Sequence, residues 1–182
     1  MEKVVSLESV RNRKAAQRGF RQWRQKFKHL TAFDENTRWA DLPDEVLFFL
    51  ADDEAGSKYF LYDLIMGVLG LGNGMDFESL PSEKLLPLLD VYFLLIDQVR
   101  FECMRRLGWI EEIPFGDLSL ILIIRNHGHG QFSPLASPPK LSSQHPYYPL
   151  YVGLSDMEKG VFVRKSIPEA IQAFKEKIGK PR

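Results

Sequence analysis

Arg125-Asn126-His127-Gly128-His129-Gly130 places a guanidinium and two imidazoles within six consecutive residues. Such a set can hold a metal ion or a phosphate, and its glycines let backbone approach a ligand closely. Arg125, Asn126, His127 and His129 are therefore the ligand-binding candidates of the chain. Zinc would need further ligands brought in from elsewhere, and the sequence locates none, so no metal site and no cofactor is assigned. His145 is the next histidine along the chain.

Asp90 and Asp97 stand seven residues apart in an apolar stretch, about two helical turns, and so share one helix face. Buried carboxylates can act as acid and base, but Arg100 three residues beyond Asp97 points to an ion pair instead. Cys103 is the one cysteine, which excludes an internal disulfide and a cysteine-rich zinc site and fits a reducing compartment, so a cytoplasmic protein is expected. Its setting in an amphipathic stretch beside Met104 reads as packing.

From Arg11 to Lys28 the chain carries eight basic residues, and no acidic residue occurs between Glu8 and Asp34. Ala16, Phe20, Trp23, Phe27 and Leu30 recur at spacings of four and three, giving a helix one aromatic stripe between basic flanks. An isolated helix of this length is marginal in water, and Gly19 weakens it further, so the stripe must dock on the body or on another chain. Phe20, Trp23, Phe27, Arg21 and Arg24 are the partner-binding candidates, and an arm of residues 1–32 is expected to be removable without loss of the body.

These features need a scaffold, and the composition supplies one. The chain has 182 residues, 45% hydrophobic and 26% charged, with 24 basic residues balancing 24 acidic ones. That balance argues against a dedicated polyanion binder, and no membrane partner is expected; a nucleic acid is possible only through local clustering and is not favoured. The apolar runs 46–51, 64–72 and 85–96 fall short of the roughly 20 residues that cross a bilayer.

Asp41-Leu42-Pro43, Ser79-Leu80-Pro81 and Ser166-Ile167-Pro168 each read as a helix start, with a polar cap and proline in the first turn. They predict helices from Pro43 to Ala51, from Pro81 to Leu107 with Gly108 as its terminator, and from Pro168 to Ile178. Another is predicted from Ala55 to Leu69, apolar over much of its circumference. In the long helix, Leu88 to Ile96 leave only Asp90 polar, which predicts a central core helix with Phe93 inside. Leu118 to Ile124 is short, aliphatic and rich in isoleucine, and predicts a buried strand; Tyr147 to Val152 and Gly160 to Arg164 are two further strand candidates. Gln131 to Pro149 is a proline-rich connection with Phe132, Leu135, Leu141, Tyr147 and Tyr148 as apolar anchors, expected to pack in part.

The expected architecture is α+β and predominantly α: the arm of residues 1–32, a helical body over 33–116, then a small sheet and a closing helix over 117–182. No dense catalytic constellation stands out. The expected function is an interaction or adaptor module docking a protein partner or a second copy through the N-terminal helix. The alternatives are an enzyme or small-ligand binder using the His127/His129 loop, and a nucleic-acid-associated protein.

Overall fold

The computed structural model describes residues 5–52, 54–128 and 139–179. The fold is predominantly helical with one small antiparallel sheet. In chain order the elements are α1 (Leu7–Gly19), α2 (Arg21–Phe27), α3 (Asp44–Asp52), α4 (Glu54–Leu69), α5 (Ser82–Arg106), β1 (Ile110–Glu112), α6 (Leu120–Gly128), β2 (Lys140–Leu141), α7 (Tyr148–Val152), α8 (Asp156–Lys165) and α9 (Ile167–Gly179). β1 pairs with β2, Ile110 opposite Leu141.

α4 lies at the centre of the main core, with every residue from Leu61 to Val68 buried. The apolar circumference of this helix is covered by α1 and α2 on one side and by α3, α5 and α6 on others. Its crossing with α1 is set by glycine. A Cβ on Gly67 would stand 2.7 Å from the backbone of Arg18 and Gly19, and one on Gly19 would meet Leu64 at 3.0 Å. Gly19 therefore costs its own helix some stability and allows the two backbones to approach.

The aromatic stripe of the N-terminal segment meets its burial requirement within the chain. Phe20 and Trp23 are fully buried, Phe27 nearly so, and all belong to the main core. The Trp23 indole donates to the Phe60 carbonyl at 3.0 Å, and its ring packs edge-on to Phe20 and Phe33. Phe20, Trp23 and Phe27 are thus core side chains of their own body, which corrects their assignment as a surface for a partner.

α3 and α5 begin next to Pro43 and Pro81 as expected, but the prolines stand just before the first turn: Pro81 is itself the N-cap of α5, without a side-chain cap bond, and the Asp41 carboxylate accepts from Arg38 N instead of capping α3. α5 starts at Ser82, with Pro87 tolerated inside it, and ends at Arg106; Gly108, two residues on, has a φ of +78° that suits the left-handed position. At the third site the Ser166 hydroxyl turns back and donates to the Val163 carbonyl at 2.7 Å, closing α8. The expectation for Phe93 is corrected: it is 57% exposed, while Val91, Leu95, Ile96 and Val99 carry the core face. Leu86 and Phe93, seven residues apart, share the outer face with Asp90.

The strand assignments are corrected too. Residues 120–124 lie in α6, where Leu120, Ile121, Ile123, Ile124 and His127 are buried at helical spacing and the Ser119 hydroxyl accepts from Leu122 N. A short run that is apolar at nearly every position carries no period, so buried helix and buried strand look alike in sequence. Tyr147 to Val152 becomes α7, with Pro149 in its first turn, and Gly160 to Arg164 belongs to α8, started by a reciprocal Ser155/Glu158 capping box. α7, α8, β1, β2 and the first turn of α9 enclose a second, smaller core with the C-terminal end of α5: Phe101, Met104, Ile110, Leu141, Tyr151, Val163 and Ala170. Of the proline-rich connection, residues 131–138 lie outside the described residues; Leu141 is buried and Tyr147 exposed.

Candidate functional site

The ligand-binding candidates separate once the chain is folded. His129 lies outside the described residues. His127 is on the core side of α6, its Nδ1 buried with no hydrogen-bond partner among the described residues. Burial lowers the pKa of His127, and the Asp90 carboxylate opposes that shift. His145 sits apart, stacked edge-on to Trp109, with its Nδ1 accepting from Tyr147 N. No group of three or more histidine, cysteine, aspartate or glutamate side chains able to hold a metal occurs among the described residues.

The other chemical candidates serve structure. Asp97 pairs with Arg164 at 3.0 Å, whereas Asp90 is exposed. Cys103 is fully buried, and burial pushes its thiol pKa up to about 12, far from the thiolate a nucleophile needs. Arg24 spends its guanidinium on the Phe33 carbonyl at 2.8 Å and the Gln17 carbonyl at 3.3 Å, so it secures the arm; Arg21 is exposed.

Arg125 and Asn126 take a different position, on the partly exposed side of α6. There Arg125 meets the basic residues of α1. Arg11, Lys14, Arg18 and Arg125 line a cleft of about 330 Å³ whose apolar wall is Val68 and Leu69, from the last turn of α4. The geometry follows from local rules. Arg11, Lys14 and Arg18 recur at spacings of three and four, so they stand on one face of α1. The Gly19/Gly67 crossing fixes how closely that face approaches α4, and α6 packs on both helices and presents Arg125 from the opposite wall.

Two hydrogen bonds hold the walls. Arg18 Nε donates to the Gly67 carbonyl at 2.8 Å, and the Arg125 guanidinium donates to Asn12 Oδ1. No carboxylate among the described residues lines the cleft. Burial and the nearby Arg11 and Arg18 guanidiniums lower the pKa of Arg125, and Glu8 opposes them. Arginine remains charged at neutral pH under any such shift, so the cleft concentrates positive charge that the protein itself only partly neutralises.

Each of these cations is visible in the sequence, but their convergence is not: Arg125 lies more than a hundred residues from Arg18. The spacing of Arg11, Lys14 and Arg18 was the available signal. Comparison with family models, curated proteins and solved structures finds no match to this chain.

Proposed function

We propose that this protein binds an anionic ligand, with a phosphate group as the fitting chemistry, in the cleft between α1 and α6. The observation that carries this reading is the convergence of Arg11, Lys14, Arg18 and Arg125 on one cavity that no carboxylate of the described residues lines. Guanidinium groups match phosphate oxygens in charge and in fork geometry, and a lysine adds a mobile point charge. The small-ligand reading attached to Arg125 thereby passes from the histidines to the basic face of α1. An adaptor role through the aromatic stripe has lost its surface, because that stripe is core.

The test is thermal unfolding of the full chain with pyrophosphate, against sodium chloride at equal ionic strength. A ligand that binds the folded state alone raises the melting temperature with concentration. The double substitution Arg11→Ala and Lys14→Ala should remove the pyrophosphate-specific increment and leave the melting temperature in chloride nearly unchanged, since both side chains are exposed. An equal response of native and doubly substituted protein to pyrophosphate would end the proposal.

A further inference from the structure

We infer that the face of α1 bearing Leu7, Arg11, Lys14 and Arg18 docks on an anionic phospholipid surface, with a headgroup phosphate entering the cleft beside Arg125. This rests on the anion-binding reading of the cleft and extends it from a chemical group to a partner.

The spacings from Leu7 to Arg11, Lys14 and Arg18 are four, three and four, so at about 100° per residue the four side chains fall within a sector of about 60°. Along the axis the row runs about 16 Å. The fold decides which way it faces. Ala15, Ala16 and Gly19 are buried against the body, whereas Leu7, Arg11, Lys14 and Arg18 are all exposed, Leu7 by 84%. Val5, just before the helix, is 53% exposed.

An exposed leucine by itself is ordinary. Two exposed aliphatic side chains at the head of a row of cations are complementary to one kind of medium, in which apolar chains lie directly beneath phosphates. That is the interface of an acidic bilayer, and long lysine and arginine side chains keep contact with headgroup phosphates while aliphatic neighbours dip below them. A nucleic-acid backbone would neutralise the cations but leave Leu7 and Val5 in water. A small soluble phosphate would fill the cleft and meet its cations but leave the aliphatic tip in water.

Charge distribution strengthens the case. The 24 basic and 24 acidic residues balance over the chain, yet eight basic residues fall between Arg11 and Lys28 with no acidic residue among them. The rest of the chain holds 16 basic residues against all 24 acidic ones, so positive charge is concentrated in the segment that carries α1. Glu8 is the acidic residue that bears on this face and subtracts from it. Each cation near such a leaflet strengthens binding about fivefold. No helix among the described residues is long and apolar enough to cross a membrane, so the attachment is peripheral and reversible by salt.

The experiment is co-sedimentation of the full chain with two vesicle preparations, phosphatidylcholine alone and a three-to-one mixture of phosphatidylcholine with phosphatidylserine. Binding to the mixed vesicles alone is expected, with Lys14→Glu lowering the partition coefficient about 25-fold, because one cation is lost and one anion gained. Leu7→Asn should weaken vesicle binding several-fold and leave the pyrophosphate-induced thermal shift unchanged, since Leu7 is not part of the cleft lining. Equal binding to both vesicles, or no binding to the acidic ones while pyrophosphate still stabilises the protein, would overturn the membrane inference and leave the cleft reading standing. Absence of both responses would overturn both. Binding of a single-stranded polyribonucleotide more tightly than acidic vesicles, indifferent to Leu7→Asn, would replace the lipid by a nucleic acid.

Discussion

Arg106 Nε donates to Glu102 Oε1 across 3.0 Å, and Glu102 is only 1% exposed. Arg105 holds the same carboxylate with two bonds, at 2.7 Å and 2.8 Å. Arg106 reaches further, to Asp44 at 2.8 Å and to the Trp39 and Ala40 carbonyls, so it ties α5 to the start of α3. Removing one partner of a buried ion pair leaves the other charge short of compensation, which is costlier than removing the pair. Arg106→Ala should destabilise the protein by about 3 kcal/mol in urea unfolding. Asp44→Asn, at a carboxylate 40% exposed, should cost less than about 1 kcal/mol. Comparable losses in the two variants would show that the knot is not centred on Glu102.

Trp23 supplies the next expectation. Its ring is fully buried and its Nε1–H is satisfied by the Phe60 carbonyl. Trp23→Ala should therefore cost about 3–5 kcal/mol of stability. Deletion of residues 1–32 strips Ala15, Ala16, Phe20, Trp23 and Phe27 from the main core and should unfold the body instead of trimming an appendage. A truncated chain that keeps its helical circular dichroism and a cooperative melt would contradict this placement.

Phe93 tests the opposite case, a large aromatic that the pattern places inside and the fold places outside. At 57% exposure Phe93→Ala should change stability by less than about 1 kcal/mol, against 3–5 for a buried phenylalanine. Urea unfolding of this variant beside Trp23→Ala gives the comparison directly, and equal losses would refute it.

What the sequence made legible divides along physical lines. α4, α5 and α9 were readable because proline, acidic first turns and glycine stops are local chemistry acting within a few residues. The N-terminal stripe was readable as a face that must be buried, but not where, because its partners Phe33, Phe49 and Phe60 are chosen by tertiary packing. α6 was misread since Leu118 to Ile124 is apolar at every position but Ser119 and carries no period. In the site, Arg125 was recognised and the row from Arg11 was seen as basic. Their meeting depends on the α1–α4 crossing at Gly19 and Gly67, and Gly19 in sequence looked only like a weakness.

His127 offers a prediction in pH. Burial is the main cause of its lowered pKa, its Nδ1 lacks a partner among the described residues, and the Asp90 carboxylate opposes the shift without cancelling it. Well above pH 6.5 the imidazole is neutral in both states and contributes no pH dependence. As pH falls through 6.5 the unfolded chain takes up a proton that the folded chain resists. The unfolded state then binds more protons, so stability declines with falling pH until the lower folded pKa is passed, below which this contribution is constant. His127→Gln removes the titration and keeps a polar side chain. His145 is shifted in the same direction and is present in both proteins, so the difference between native chain and variant isolates His127. The stability of His127→Gln relative to the native protein should rise as pH is lowered from about 7.5 to about 5. Urea unfolding at several pH values measures that difference, and parallel stability curves would show that His127 is equally protonated in the folded and unfolded states.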